Sequence, residues 1–327
     1  MNRRECILAA AACAALHPLA AGAQQASRIP RVGYLFSFPR AEGEHLWQAC
    51  RAGLRDLGYV EGRNIVLEPR WADGDYRRLP DLVRELLQLK VDVLVTAATP
   101  PSRAAMAATR STPIVFVAVG EPIRVGLVKS MARPGGNITG LSLLTSELSG
   151  RRLKLLVECV GKVQSVAVIR NPANLVHETF LEESRAAAEA LGVRLAPLDA
   201  GSAEEIDRAF DSARAVKADA LIVFDDPVLW SNRKRFVALA EKSRMPAMYG
   251  YREFVDEGGL ISLGPDRVDH YRRTAVYVDR ILRGANPAEL PVEQPVKFQL
   301  VINLKSAHAL GLAIPQAVLL AADEVIK

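Results

Sequence analysis

Hydroxyl and carboxylate side chains stand directly before prolines at two widely separated places in the sequence. Thr99-Pro100-Pro101-Ser102 has the form of a helix start, with a hydroxyl N-cap followed by proline at the first helical position. Free N–H groups and the helix dipole at such a start favour an anion such as a carboxylate. Asp225-Asp226-Pro227 offers the opposite chemistry, because a carboxylate there can pair with an ammonium group. Together the motifs favour a zwitterionic ligand, and capping of its own helix is the alternative role of each.

Further polar and aromatic residues follow predicted strands and complete the candidate site. Glu121 is a second candidate partner for an amino group, and the aromatic residues, Phe38 and Trp71 among them, could form an apolar or stacking wall. Their alternative role is packing in the core, and that of Asn171-Pro172 is a turn. The predicted ligand-binding residues are Phe36, Ser37, Thr99, Pro100, Glu121, Asn171, Asp225, Asp226, Tyr249 and Tyr251.

Motifs of catalysis and of metal binding are absent from the sequence. There is no GxSxG elbow, no GxxxxGK[ST] phosphate loop and no HExxH pair. The five histidines show no ligand spacing, and the four cysteines form no CxxC motif. Cys50 and Cys159 are interpreted as small buried residues rather than as a disulfide. We therefore predict a protein that is not an enzyme and that uses no metal and no cofactor.

The charge of the chain gives no indication of nucleic-acid binding. The 327 residues carry a formal net charge of +5, with 50% hydrophobic and 24% charged residues. The basic runs Arg151-Arg152-Leu153-Lys154 and Arg233-Lys234-Arg235 are interpreted as solvated helix faces. A nucleic-acid-binding protein requires a clustered basic stripe, which this sequence lacks.

The first residues have the pattern of an export signal. Met1-Asn2-Arg3-Arg4 is followed by an apolar run from Cys6 to Leu16 and by the small-residue site Ala21-Gly22-Ala23. The run is too short to anchor the protein in a bilayer. We predict a signal peptide over residues 1–23, cleavage after Ala23 and a periplasmic location. The arginine pair also fits the twin-arginine route, and lipidation at Cys13 is a less favoured alternative.

Strand-like and helix-like segments alternate after this signal. Continuous apolar runs separated by amphipathic helices indicate a parallel sheet covered on both faces. The predicted strands are 31–36, 64–71, 91–97, 113–119, 138–143, 164–170, 193–198, 219–224 and 246–249. The predicted helices are 45–57, 76–89, 102–109, 179–191, 203–216 and 233–243.

The second half of the chain repeats the plan of the first. The segment at Lys90, KVDVLV, matches KADALI at Lys217, and a proline follows each lysine at the same distance. We interpret the halves as two equivalent α/β lobes. The alternative, that all parallel α/β units look alike, explains the pattern but not the equal spacings. Because ligands bind beyond the carboxyl ends of parallel strands, the equivalent strand-end loops predict a cleft between the lobes.

Several long segments resemble one known family, the periplasmic substrate-binding components of ABC importers that include tryptophan- and tyrosine-binding members. The resemblance covers residues 31–327. It is carried by GLRDLGYVEGRNIVLEPRWADGDYRRLPDL from Gly53, VGEPIRVGLVKSMARPGGNITGLS from Val119, YGYREFVDEGGLISLG from Tyr249, and LPVEQPVKFQLVINLKSAHALGLAIPQAVLLAADEVIK from Leu290.

The resemblance implies a type I periplasmic-binding fold, with three crossovers between two doubly wound parallel-sheet lobes. Lobe 1 would comprise residues 30–142 and 267–287, and lobe 2 residues 143–266 and 288–327. The helix 271–282 would return to lobe 1, and Phe298–Asn303 would be a strand of lobe 2. The sequence departs from the family pattern at Gly120-Glu121-Pro122 and Leu263-Gly264, where the family usually has Gly-Asp-Pro and often Tyr-Gly. Both lie at predicted strand ends, so the ligand of relatives does not transfer directly.

We therefore predict an exported receptor that binds an amino acid or a related carboxylate between two lobes that close by hinge motion. Aromatic amino acids are among the candidate ligands. The partners implied are this small-molecule ligand and an ABC permease of the inner membrane, with the receptor itself a monomer. An exported sensor that presents its closed form to a signalling partner is an alternative. An α/β enzyme is a further alternative, for which Glu121, Asp225 and Asp226 are the available acid–base groups.

Overall fold

The computed structural model describes residues 28–143, 145–295 and 297–327. The predicted signal peptide, its cleavage site after Ala23 and Cys13 lie outside the described residues. Within the described ranges, no helix has both the length and the apolar character needed to cross a membrane.

The first sheet has five parallel strands in the order β2-β1-β3-β4-β5. Its strands are β1 (Arg31–Phe36), β2 (Val66–Trp71), β3 (Val93–Ala97), β4 (Ile114–Val119) and β5 (Ile138–Ser142). The helices between them are α1 (Arg40–Asp56), α2 (Leu79–Gln88) and α3 (Thr99–Ala108). Strands β3, β4 and β5 are buried along their whole length, as continuous apolar runs in a covered parallel sheet require.

The second sheet has seven strands in the order β12-β11-β10-β9-β8-β6-β7, and only the β10–β11 pair is antiparallel. Its strands are β6 (Ser165–Arg170), β7 (Arg194–Asp199), β8 (Ala220–Val223), β9 (Ala247–Tyr249), β10 (Ile261–Pro265), β11 (Phe298–Asn303) and β12 (Glu324–Ile326). The helices of this half are α4 (Thr145–Val160), α5 (Val176–Leu191), α6 (Ala203–Ala215), α7 (Pro227–Ser231), α8 (Arg233–Lys242), α9 (Arg252–Asp256), α10 (Arg267–Leu282), α11 (Leu304–Leu310) and α12 (Gln316–Ala321).

The two sheets form the two α/β lobes that the sequence predicts, and the repeated segments play the same part in each. Lys90 and Lys217 both follow a helix and both have φ of 53°. Two residues later, the Asp92 carboxylate accepts the N–H of Arg31 at the start of β1. In the second lobe, the Asp219 carboxylate accepts the N–H of Ser165 at the start of β6. The matched sequences thus fix matched strand starts.

Helix α10 follows a strand of the second sheet but packs against α1 of the first lobe. Thr274 on α10 contacts the thiol of Cys50, and a Cβ at Gly53 would lie 2.1 Å from the backbone oxygen of Arg272. Cys50 and Cys159 are free and buried, as predicted, and burial raises the pKa of the Cys50 thiol to about 12. The residue boundaries proposed for the lobes stay a prediction.

The lobes touch each other across the cleft. The Tyr76 hydroxyl of the first lobe donates to Asp226 of the second over 2.8 Å. Phe38 meets the Trp230 ring edge to face, with ring centroids 5.1 Å apart. Glu42 on α1 pairs with Arg233 on α8. The structure is therefore a closed arrangement of the two lobes.

Candidate functional site

A cavity lies between the lobes, at the carboxyl ends of strands from both sheets. Three of the predicted site residues line it, namely Thr99, Asp225 and Tyr251. The remaining lining residues are Phe38, Ala98, Ala118, Gly120, Leu143, Asn174, Val176, Phe180, Pro227, Trp230, Arg267 and Tyr271. The cleft predicted from the strand-end loops is thus the cleft that the chain forms.

The first lobe contributes the start of α3, which differs from the predicted helix start. The N-cap position is Ala98 rather than Thr99, and no side chain caps the helix. Both Pro100 and Pro101 lack an N–H group, and the N–H of Ser102 donates to the Ala98 carbonyl over 3.3 Å. Thr99 is therefore the one residue of this first turn whose backbone N–H is free for a ligand. The start of α3 thus offers an anion fewer N–H donors than we predicted.

Ala98 and Ala118 have positive φ angles of 83° and 60° where their strands end at the cavity. This region disfavours residues with a Cβ, and such strained backbone is concentrated at binding and catalytic sites. Both side chains are small, so the backbone of the first lobe comes close to the cavity.

Asp225 of the second lobe forms a buried ion pair. Arg152 Nη2 donates to Asp225 Oδ2 over 2.9 Å, and the two side chains are 1% and 2% exposed. Arg152 Nε also donates to the Leu263 carbonyl oxygen, over 2.8 Å. A Cβ at Gly250 would lie 1.5 Å from Asp225 Oδ1, so glycine is required beside this carboxylate.

The burial of Arg152 corrects the interpretation of its basic run as a solvated helix face. Arg151 on the same helix is exposed, whereas Arg152 points inward to acceptors on Asp225, which follows β8, and on Leu263 within β10. Arg233 likewise pairs with Glu42 and Glu257 and is only 12% exposed. One arginine of each run thus has a structural partner that sequence alone did not reveal.

Asp226 serves the structure rather than the cavity. Its carboxylate caps α7 by accepting the N–H groups of Val228 and Leu229. It also accepts hydrogen bonds from Tyr76, Asn171 and Asn174. These five donors occupy the acceptor sites of the carboxylate, so capping, the alternative role, is the one observed.

His177 orients the backbone at Asp225. Its Nδ1 accepts the Asn171 N–H over 2.9 Å, so the ring proton is on Nε2, which donates to the Asp225 carbonyl oxygen over 3.1 Å. His270, on α10, donates from Nε2 to the Ser142 carbonyl oxygen over 3.0 Å. Burial lowers the pKa of both imidazoles below the usual value.

This pair of histidines predicts a loss of stability on mild acidification. An unfolded histidine binds a proton near pH 6.5, whereas the folded chain resists protonation until the pH is lower. The unfolded state therefore binds more protons, and we expect the free energy of unfolding to fall as the pH drops from 7 to 5. Urea unfolding across this range measures it. His270→Gln should weaken the dependence and the exposed His308→Gln should not, whereas equal stability at both ends would contradict the prediction.

Arg267, at the start of α10, lies against aromatic rings of the cavity. Its guanidinium carbon is 4.1 Å from the ring centroid of Trp230 and 4.4 Å from that of Tyr251. Nη1 donates to Glu253 Oε1 over 3.1 Å. Burial alone would raise the pKa of Glu253, but the Arg267 charge, with a hydrogen bond from His45, lowers it to about 2. Neither Arg267 nor Trp230 was predicted.

Four residues of the cavity wall carry buried polar atoms with no hydrogen-bond partner among the described residues. Two atoms are acceptors, Asp225 Oδ1 and Asn174 Oδ1, and two are donors, Trp230 Nε1 and Arg267 Nε. Asn174 Nδ2 donates to the Asp226 carboxylate, which fixes Oδ1 as the free end of that amide. Buried polar atoms are nearly always paired, so a ligand with both donors and acceptors would complete these four. Four further unpartnered atoms in the described part of the chain belong to Tyr34, Arg152, Tyr249 and Ser262, which do not line the cavity.

The other predicted site residues lie outside the lining of this cavity. Phe36 stacks on Trp71 in the first core, with ring centroids 4.2 Å apart, and Ser37 is buried beside it. Tyr249 stacks on Phe254 inside the second lobe, at 4.4 Å. Pro100 and Glu121 are each next to a lining residue in the sequence, and Asn171 precedes one by three positions. None of the three lines the cavity itself. Among the described residues, no three His, Cys, Asp or Glu side chains cluster as a metal site requires.

Comparison with known proteins gives matches over most of the chain. The family model for ABC transporter substrate binding proteins matches residues 44–326. A tyrosine-binding protein of Clostridioides difficile strain R20291 is 25% identical over 259 residues, which are 79% of this chain and 74% of that protein.

Two solved structures are similar throughout. A conserved domain protein of Vibrio cholerae O1 biovar El Tor is 30% identical with a TM-score of 0.86, covering 91% of this chain and 100% of that one. An ABC domain of Streptococcus pneumoniae in complex with L-Trp is 27% identical with a TM-score of 0.84, covering 91% and 99%.

Proposed function

Because the chain belongs to the family of ABC transporter substrate-binding proteins, we propose that it is the exported receptor of an ABC importer and that its ligand is an amino acid zwitterion. The observation that carries the proposal is the set of four unpartnered polar atoms in one cavity, two acceptors and two donors. An amino acid supplies an ammonium group and a carboxylate to match them.

The ammonium group is placed at Asp225. This carboxylate keeps Oδ2 on Arg152 and leaves Oδ1 for a ligand, and the Asn174 amide oxygen provides a second acceptor in the same wall. A hydrogen bond between charged groups in a site closed to water is among the stronger polar contacts that proteins make. Thr99, with its N–H group and hydroxyl, faces the ligand from the other lobe.

The side chain of the ligand meets an apolar surface. The remaining wall includes Phe38, Val176, Phe180, Tyr251 and Tyr271. Relatives named for tyrosine binding, or solved with L-Trp, support an amino acid as the ligand class. This wall fits an apolar or aromatic side chain better than a charged one.

Binding and transport follow from closure of the two lobes. A ligand that contacts Asp225 in one lobe and Thr99 in the other favours the closed form over the open one. The direct contacts Tyr76–Asp226 and Glu42–Arg233 form in the same closed arrangement. The permease then receives the closed, loaded receptor, and no acid–base chemistry is required of the cleft.

Native mass spectrometry and a thermal-shift screen test the proposal. We expect purified receptor to carry a trapped amino acid, and the melting temperature to rise with one or a few of the twenty L-amino acids by mass action. Turnover of a trapped ligand would overturn the receptor assignment. An unchanged melting temperature with every amino acid would overturn the ligand class.

A further inference from the structure

We propose that Arg267 recognises the ligand carboxylate, with the indole N–H of Trp230 beside it, and this assignment rests on the proposed function. Asp225 of the second lobe would then bind the ammonium group of the ligand. Arg267, at the start of α10, would bind its carboxylate.

The guanidinium of Arg267 is held in place but not saturated. The ring faces of Trp230 and Tyr251 support it, and Glu253 takes a hydrogen bond from Nη1. Its Nε is buried without a partner, and the side chain is 6% exposed. An arginine stacked on aromatic rings keeps its donors in the plane of the guanidinium, where a carboxylate can accept them.

Trp230 adds a second donor at the same corner of the cavity. Its ring lies against Arg267, and its Nε1 is buried with no acceptor among the described residues. Two unpartnered donors on side chains that stack against each other match the two oxygens of a carboxylate. The two unpartnered acceptors belong to other residues of the wall, Asp225 and Asn174, which supply the ammonium partner in this assignment.

The start of α3 is the competing carboxylate site, and its composition argues against it. Prolines occupy positions 100 and 101, and the Ser102 N–H donates to the Ala98 carbonyl. Thr99 leaves a single backbone N–H there, without a positive charge. Arg267 supplies both the charge and the planar donors that a carboxylate prefers.

Paired ligands that differ only in the carboxylate test the assignment. The twenty L-amino acids and their primary amides are titrated by calorimetry against the wild-type protein and Arg267→Lys. We expect the wild type to prefer the acid over its amide at least tenfold. In Arg267→Lys this preference should fall to about threefold or less, because the acid loses affinity and the amide does not.

Other outcomes separate the assignment from the proposed function. An equal loss for acid and amide in Arg267→Lys would show a structural role and overturn the assignment. If the wild type binds amides as tightly as acids, the carboxylate assignment is also overturned, whereas the ammonium site is not affected. A wild type that binds no amino acid would instead overturn the proposed function.

Two variants complete the design. Arg233→Lys is the matched control, since Arg233 also lies near the Trp230 ring, at 5.1 Å, but does not line the cavity. It should keep the acid-to-amide preference, because any loss of its inter-lobe pair with Glu42 would weaken acid and amide alike. Trp230→Phe removes one donor and should lower the preference three- to tenfold, so it decides the question even if Arg267→Lys fails to fold. An unchanged preference in Trp230→Phe would overturn the assignment of this corner of the cavity to the carboxylate.

Discussion

Asp225→Asn is expected to weaken amino acid binding roughly 30- to 1000-fold, or about 2–4 kcal/mol, as for loss of one partner of a buried charge pair. The substitution keeps the shape of the side chain but removes the charge that faces the ligand ammonium group. It also leaves Arg152 buried without its counter-charge. Calorimetry well below the melting temperature measures the affinity of the folded protein.

Asp219→Asn is the matched control for this prediction. Asp219 precedes strand β8, and Asp225 follows its other end. Its carboxylate accepts the N–H groups of Gln164 and Ser165, far from the cleft, so the same change should cost stability while affinity stays within about twofold. Equal affinities of wild type and Asp225→Asn would remove the ammonium site from this carboxylate.

The fold could be predicted because its signals are local and repeated. Apolar runs such as that of β4 are as buried as their composition indicates. The matched lysine-to-aspartate segments mark the same strand start in both lobes. Helix starts were less predictable: α1 begins at Arg40 and α3 at Thr99, both earlier than expected, because prolines are tolerated before and within a first turn.

The site could be predicted only to the level of its strand ends. Asp225 and Asp226 are adjacent and chemically identical, and only the turn into α7 decides that Asp226 caps the helix while Asp225 faces the cavity. Tyr249 and Tyr251 are separated in the same way, since Tyr249 belongs to β9 and packs in the core. Which of two neighbouring side chains faces the cavity depends on how the chain turns at the strand end, and tertiary packing sets that turn.

Arg152, Trp230 and Arg267 were missed because their roles depend on partners distant in sequence. Arg152 reads as one charge among several on a helix, and its acceptors lie on strands that the sequence pattern does not connect to it. Arg267 follows β10, which was not among the strands predicted from the apolar pattern, so the loop after it was left out of the candidate site. A charged residue directly after a buried strand was the one available signal.

The Arg152–Asp225 pair also accounts for two glycines at the ends of neighbouring strands. Gly250 follows β9, and a Cβ there would collide with the Asp225 carboxylate and lie 2.7 Å from Arg152 Nη2. Gly264 lies in β10, where a Cβ would be 1.7 Å from the Gly250 oxygen. The pair therefore occupies space that the backbone leaves open, and it connects α4 to strands β8 and β10 of the second lobe.

Arg152→Met should consequently lower the free energy of unfolding by about 3–5 kcal/mol, because it leaves the Asp225 charge buried and unpaired. The Leu263 carbonyl loses a donor in the same change. Urea unfolding measures the loss, and Arg151→Met, the same substitution at the exposed neighbouring position, should stay within about 0.5 kcal/mol of wild type. The double variant Arg152→Met with Asp225→Asn no longer has an unpaired buried charge, so it should recover part of the lost stability. If the two losses in free energy of unfolding simply add, the two charges are not coupled. The acceptor proposed for the ligand would then have to be held by the His177 and Gly250 contacts alone.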